Sequence, residues 1–276
     1  MGKQIKMIGL DCDGTLLNNN KELTDHSREV LCRAIERGIV IVVATGRPLT
    51  GIPKEVLDID GIRYALTSNG ARIVDIKENR IISKCTMSTE KTKELLQLFS
   101  AYDTYKEIFI DGQGYTNRSD LENIENYAES ESMARYARSC RKPVENMEEL
   151  LEDKEVRVDK VHVMFSGLKE REQAFEEVKT VQGVTATSAI SNNIEVNMFG
   201  VNKGEGLLRL GTLLGIERDE IMACGDGMND FEMLKAVGFG VAMENAVEKV
   251  KQAADYVTDT NENDGVAKAI EKFALA

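Results

Sequence analysis

Lys6-Met7-Ile8-Gly9-Leu10-Asp11-Cys12-Asp13-Gly14-Thr15-Leu16-Leu17 is the stretch that decides the fold. An apolar run that ends in carboxylates and then a glycine reads as a buried parallel strand delivering its acids at its C-terminal edge. That edge is where open α/β sheets hold their ligands. Asp11 and Asp13 are two apart, so on an ideal strand their side chains share a face, as a nucleophile beside a general acid requires. Gly14 lets the chain break out of the strand, and Thr15 is placed to hydrogen-bond in the loop that follows. Cys12 between the acids reads as a small buried hydrophobe. Taken alone, the stretch also reads as an Asp-Gly turn closing a strand.

Working outward, Thr24 is placed to cap a helix whose apolar stripe is Val30, Leu31, Ala34 and Ile35 and which Gly38 ends. Ile39 to Ala44 is a β-branched run without alternation, a strand covered on both faces, and completes a βαβ unit. It ends in Thr45-Gly46-Arg47-Pro48, either a phosphate-oxygen site at a helix opening near Pro48 or an ordinary cap. Tyr64 to Thr67 predicts a third strand, followed by Ser68-Asn69-Gly70-Ala71.

Beyond this point the period changes. Residues 72–84 read as a hairpin, 89–99 as a helix, and 106–110 with the run through Tyr115 as strands about Asp111-Gly112. Residues 120–138 and 146–151 read as polar helices, 159–165 as a strand, 168–181 as a helix and 184–197 as a strand pair. Helices and hairpins in this order suggest an α+β insertion in a parallel frame.

The first pattern returns at Val201 with Lys203 opening a helix to Leu214. A first-turn lysine opposes the macrodipole, so Lys203 reads either as held there by an anion or, taken alone, as a solvated surface lysine. Residues 220–224 form the next core strand and deliver Gly225-Asp226-Gly227-Met228-Asn229-Asp230, an oxygen-rich loop suited to a hard cation or, alternatively, to capping a helix. Strands at 239–243 and 255–258, with helices from Ala246 and Gly265, complete the sheet.

The 276 residues carry a formal charge of −12, which argues against a nucleic-acid or anionic-membrane surface. No apolar run approaches membrane-spanning length, and no signal sequence precedes the first strand. Five cysteines at 12, 32, 85, 140 and 224 show no metal spacing. Together these features predict a cytoplasmic protein. No motif reports an oligomeric state.

In combination, these stretches resemble the haloacid dehalogenase superfamily of phosphohydrolases, in its Cof-type branch. The likeness spans the chain. Asp11-Cys12-Asp13-Gly14-Thr15 looks like the first family motif, Thr45 the second, Lys203 the third, and Gly225-Asp226-Gly227-Met228-Asn229-Asp230 the fourth. The resemblance implies an α/β fold, a Rossmann-like parallel sheet core (1–83 and 196–276) with an inserted α+β cap domain (84–195). It implies that Asp11 attacks phosphorus to form an aspartyl-phosphate and that Asp13 serves as acid and then base. Magnesium would be held by Asp11, the main-chain carbonyl of Asp13, and Asp226, with Asn229 and Asp230 supporting. Thr45, Gly46 and Lys203 would bind phosphoryl oxygens, and Arg47, Asn69 and Asn245 would contribute to specificity.

The implied substrate is a small phosphorylated metabolite such as a sugar phosphate. A phosphomutase and a phospho-acceptor regulator are the alternatives; a dehalogenase is disfavoured because Asp13 supplies an acid that its chemistry does not need. Glu244 and Phe199 depart from the usual family residues, glycine and proline, near the site. Phe109, Tyr115, Arg118 and His162 are candidate cap residues for selecting substrate, with packing roles as the other reading.

Overall fold

The computed structural model describes residues 4–276. The chain divides into two compact units: residues through Gly46, Ile52–Ser83 and Asn202–Ala276 form the first, Arg47–Gly51 and Lys84–Val201 the second. In chain order the strands are β1 (Met7–Leu10), β2 (Val40–Ala44), β3 (Tyr64–Thr67), β4 (Arg72–Asp75), β5 (Arg80–Lys84), β6 (Thr104–Ile110), β7 (Gln113–Asn117), β8 (Arg141–Val144), β9 (Val158–Phe165), β10 (Val184–Thr187), β11 (Asn193–Met198), β12 (Ile221–Gly225), β13 (Phe239–Ala242) and β14 (Tyr256–Val257).

Among the described residues the first unit's sheet has the order β14-β13-β12-β1-β2-β3-β4-β5. β1 runs parallel to both β12 and β2, and β2, β12 and β13 continue the parallel pattern to β3, β13 and β14; β4 is antiparallel to β3. β1 is buried along its whole length, as is β12, which explains why neither alternates apolar with polar residues. Leu10 stands level with Cys224 on one side and Val43 on the other. Three strand ends therefore finish side by side, and the residues that follow them, Asp11, Thr45 and the 225–230 loop, emerge at one edge.

The second unit has its own sheet, ordered β10-β11-β9-β6-β7-β8, antiparallel except where β8 runs parallel to β7. Alternation gives its strands two unlike faces. Ile108, Val161, Val163, Ile194 and Val196 join Leu95 and Phe99 of the helix Thr89–Phe99 and Ala174 and Val178 of the helix Leu168–Val178 in an apolar core. The intervening residues carry charge. Glu107 accepts from Arg141 Nε at 2.7 Å and lies 3.4 Å from His162 Nδ1, and buried Lys160 pairs with Glu195. Phe109 lies under both cations, 5.0 Å from Arg141 and 4.6 Å from Lys160.

Several sequence expectations need correction. The polar helix expected over 120–138 is split into a short helix Arg118–Glu122, a 3-10 turn and the helix Glu131–Cys140. Strand β8 follows, unforeseen because Arg141-Lys142-Pro143-Val144 is four residues long, lacks alternation and holds a proline tolerable only at a sheet edge. No long helix opens at Pro48; a 3-10 turn Leu49–Gly51 and a one-turn helix Lys54–Leu57 follow it. Residues 146–151 form a 3-10 turn over Met147–Leu151. The expected boundary at 195 falls inside β11, which pairs with β9 and β10 as one strand of the second unit. Among the described residues no helix is long and apolar enough to cross a membrane.

Candidate active site

Lys203 is the hinge of the site. It is fully buried at the first position of the helix Lys203–Leu214, which Asn202 caps by accepting the Glu205 N–H at 2.9 Å. Its ammonium donates to Asp11 Oδ1 and to Asp230 Oδ1, each at 2.7 Å. The anions expected to hold a first-turn lysine are thus two carboxylates from the ends of other strands. Burial works against the charged ammonium, but Asp11 and Asp230 outweigh it and hold its pKa above the usual lysine range.

Asp230 is fully committed. Its other oxygen accepts the backbone N–H groups of Asp226 and Gly227, both at 3.0 Å, so one carboxylate shapes the loop after β12 and anchors the lysine. Asp226 is tied back to the first motif: Thr15 Oγ1 donates to Asp226 Oδ1 at 2.7 Å across 211 residues of chain. Gly14 (φ +71°) makes room for that approach, because a Cβ there would meet Asp226 Oδ2 at 2.4 Å. Thr15 carries a role that sequence reading confined to its own loop.

The charge balance of this cluster is negative. Carboxylate oxygens of Asp11, Asp226 and Asp230 lie within 4.8 Å of one another, with one lysine against them. Burial raises the Asp11 carboxyl to about 7; Lys203 opposes the shift, while Asp230 and Asp13 add to it. Burial likewise pushes Asp226 well above the carboxylate range, reinforced by Asp11 and Asp230 and opposed by Thr15 and Lys203. Acids kept from ionising by burial first and by neighbouring carboxylates second suit a hard cation, and an all-oxygen donor set is what such a cation takes. Asp11 and Asp226, with Asp230 alongside, fit a divalent metal.

The other predicted residues distribute as follows. Thr45 is buried at the end of β2; its N–H donates to Leu66 O and its carbonyl accepts from Asn69 N–H at 3.0 Å. Asn69 lies in a left-handed succession, Ser68 (φ +50°), Asn69 (φ +60°) and Gly70 (φ +90°), and its Oδ1 accepts from Asn229 Nδ2 at 3.4 Å. Asn245 is exposed and donates to Gly14 O at 2.8 Å, a brace on the first motif loop. Gly46 closes one segment of the first unit, whereas Arg47 belongs to the second, donating to Gly51 O at 2.7 Å and lying 4.2 Å over the Tyr136 ring. Among the cap candidates, Phe109 and His162 belong to the charged sheet face, Tyr115 is half-buried, and Arg118 pairs with Glu145 at 2.7 Å. Asp13 is more open than Asp11 and pairs with Lys21 at 2.7 Å, a contact no motif announced.

A family model described as haloacid dehalogenase-like hydrolase matches residues 8–270. The chain belongs to this family. Within it, the chain is a Cof-type phosphatase, a phosphoric monoester hydrolase. It is 30% identical over 271 residues to the Bacillus subtilis 5-amino-6-(5-phospho-D-ribitylamino)uracil phosphatase YcsE, covering 98% of this chain and 96% of that protein. Phosphatase YwpJ of the same organism is 31% identical over 281 residues, covering 95% and 98%. A solved haloacid dehalogenase-like hydrolase from B. subtilis superposes with a TM-score of 0.87 at 29% identity, covering 97% of this chain and 99% of that one. These relatives match both units, so the likeness takes in the cap as well as the core.

Proposed function

We propose that this Cof-type phosphatase hydrolyses small phosphorylated metabolites, polyol or sugar phosphates among them, by a magnesium-dependent route through an aspartyl-phosphate on Asp11. The observation that carries the reading is the Asp11–Lys203–Asp230 cluster beside Asp226: a buried carboxylate with a fixed cation against it, in a site short of positive charge. The substrate class draws on the relatives, among which YcsE is named for a phosphoribityl compound.

Asp11 Oδ is the nucleophile. Its approach to phosphorus brings two anions together, and Lys203, fixed by Asp230, offsets part of that repulsion from a preorganised position. Asp11, the Asp13 carbonyl and Asp226 would hold the magnesium ion. When bound, the ion supplies the remaining positive charge and neutralises phosphoryl oxygens. Asp13 gives a proton to the leaving oxygen and takes one back from the hydrolytic water. Thr45 and the Gly46 N–H bind phosphoryl oxygens, and Asn229 and Asn69 brace the loops on either side. Arg47, Asn69 and Asn245 contribute to substrate fit.

The test is phosphate release from a panel of phosphorylated metabolites with and without magnesium, for the wild type and Asp11→Asn. Activity that needs magnesium and is lost by more than about 1000-fold in Asp11→Asn is expected. An Asp11→Asn protein that retains substantial turnover removes the nucleophile assignment.

A further inference from the structure

The ammonium of Lys21 lies 2.7 Å from Asp13 Oδ1. Lys21 is left-handed, φ +68°, a conformation that costs a residue with a Cβ roughly 1 kcal/mol. A closed turn imposes it: Lys21 N–H donates to Asn18 O at 2.9 Å, Asn18 N–H to Glu22 O at 3.0 Å, and Glu22 N–H to Asn18 Oδ1 at 3.0 Å. The C-terminal part of the chain ties this turn down. Asn261 Nδ2 donates to Leu17 O at 3.0 Å and to Asn19 Oδ1 at 3.2 Å, and Asn19 N–H donates to Glu262 Oε1 at 2.6 Å. On the Asp13 side, Asn245 holds Gly14 O and Asp13 bridges to Leu17. An ordinary surface ion pair contributes about 0–1 kcal/mol and wanders. Here both partners stand on braced backbone, so the contact sets a direction.

We propose that Lys21 is the positioning residue for Asp13, holding its carboxylate in the orientation from which it accepts a proton from the hydrolytic water. The inference rests on the aspartyl-phosphate reading above. In the first half-reaction an Asp11 oxygen bonds to phosphorus, the bond from phosphorus to the leaving oxygen breaks, and that oxygen takes the Asp13 proton. In the second, a water oxygen bonds to phosphorus, the bond to Asp11 breaks, and a proton of that water passes to Asp13. Only the second half begins with Asp13 as a carboxylate, the form that an ammonium attracts. Loss of Lys21 therefore falls on dephosphorylation.

The experiment uses the full chain with magnesium chloride and p-nitrophenyl phosphate, comparing wild type, Lys21→Met, Lys21→Gly and Lys21→Arg. Glycine relieves the left-handed conformation while removing the cation, so it separates charge from turn stability. For Met and Gly, kcat falls about 10-fold with KM falling alongside, kcat/KM stays within about 2-fold, and acid-quenched protein carries more phosphate at steady state. Arginine restores kcat. The proposal is overturned if kcat and kcat/KM fall together, as a structural loss would make them, if neither changes, or if both rise, which would make the pair a restraint. Should Lys21→Met and Lys21→Gly, active but with lowered kcat, trap no more phosphate than Asp11→Asn, the aspartyl-phosphate reading itself fails and takes this one with it.

Discussion

At the scale of single residues, Lys203 and Asp11 carry opposite burdens. The lysine is buried with two partners and stays charged; the aspartate is buried among more anions than cations and resists ionising. That asymmetry has a sign in solution. Without a divalent ion, Asp11 favours the folded state only while protonated: the penalty opens as pH rises through 3.8 and is complete above about 7. A bound cation removes it, and Asp226, raised for the same reason, adds to the effect. Magnesium is therefore expected to raise Tm by more at about pH 8 than at about pH 5, read by thermal denaturation with and without the ion. Asp226→Ala should lose most of that shift along with magnesium-dependent activity. Equal shifts at both pH values would contradict this account.

At the scale of elements, the site depends on how closely the segment after β3 seats against the helix that begins at Lys203. Gly70, at φ +90°, has its missing Cβ 2.7 Å from the Asn202 carbonyl, the residue that caps this helix. Any side chain there strains the backbone and pushes on the cap, and Lys203 is the next residue along. Gly70→Ala is expected to destabilise by about 1–3 kcal/mol in urea unfolding and to lower kcat, since Lys203 moves with its helix. Wild-type stability and kcat in this variant would show that the segment yields freely. The same element-scale reasoning explains β8: its four residues form no pattern of their own, and it exists because β7 offers an edge and Glu107 offers Arg141 a partner.

At the scale of the molecule, each unit buries an ionisable cluster and the two are in contrary states: in the first Asp11, Asp226 and Asp230 face Lys203, whereas in the second Glu107 and Glu195 are matched by Arg141 and Lys160. Burial works against ionised Glu107, but Arg141 and His162 prevail and bring it to about 2 from an ordinary 4.5. A depressed carboxyl stabilises above its unfolded pKa, and that stability drains away as pH falls from about 4.5 through about 2, on the order of 3 kcal/mol in all. Glu107→Gln should flatten the acid-unfolding profile across that window and, by leaving Arg141 buried with a neutral partner, lower stability near neutrality by about 3–5 kcal/mol. Circular dichroism against pH checks both; an unchanged profile would place the acid sensitivity elsewhere.

The sequence by itself determined the parallel core, the positions of Asp11, Asp13, Lys203 and Asp226 at element ends, and the change of period that marks the inserted unit. Those features are written in local chemistry: apolar runs without alternation, glycines where a chain must turn, and a lysine where a helix dipole rejects it. Only the tertiary structure decided that Asp230 serves Lys203 and the backbone of its own loop at once. It alone joined Thr15 to Asp226 and Asp13 to Lys21, and put Arg47 with the second unit. Those partnerships follow from which strands neighbour one another and how each loop folds back: neither the 211 positions between Thr15 and Asp226 nor the short loop between Asp13 and Lys21 records where its ends will meet.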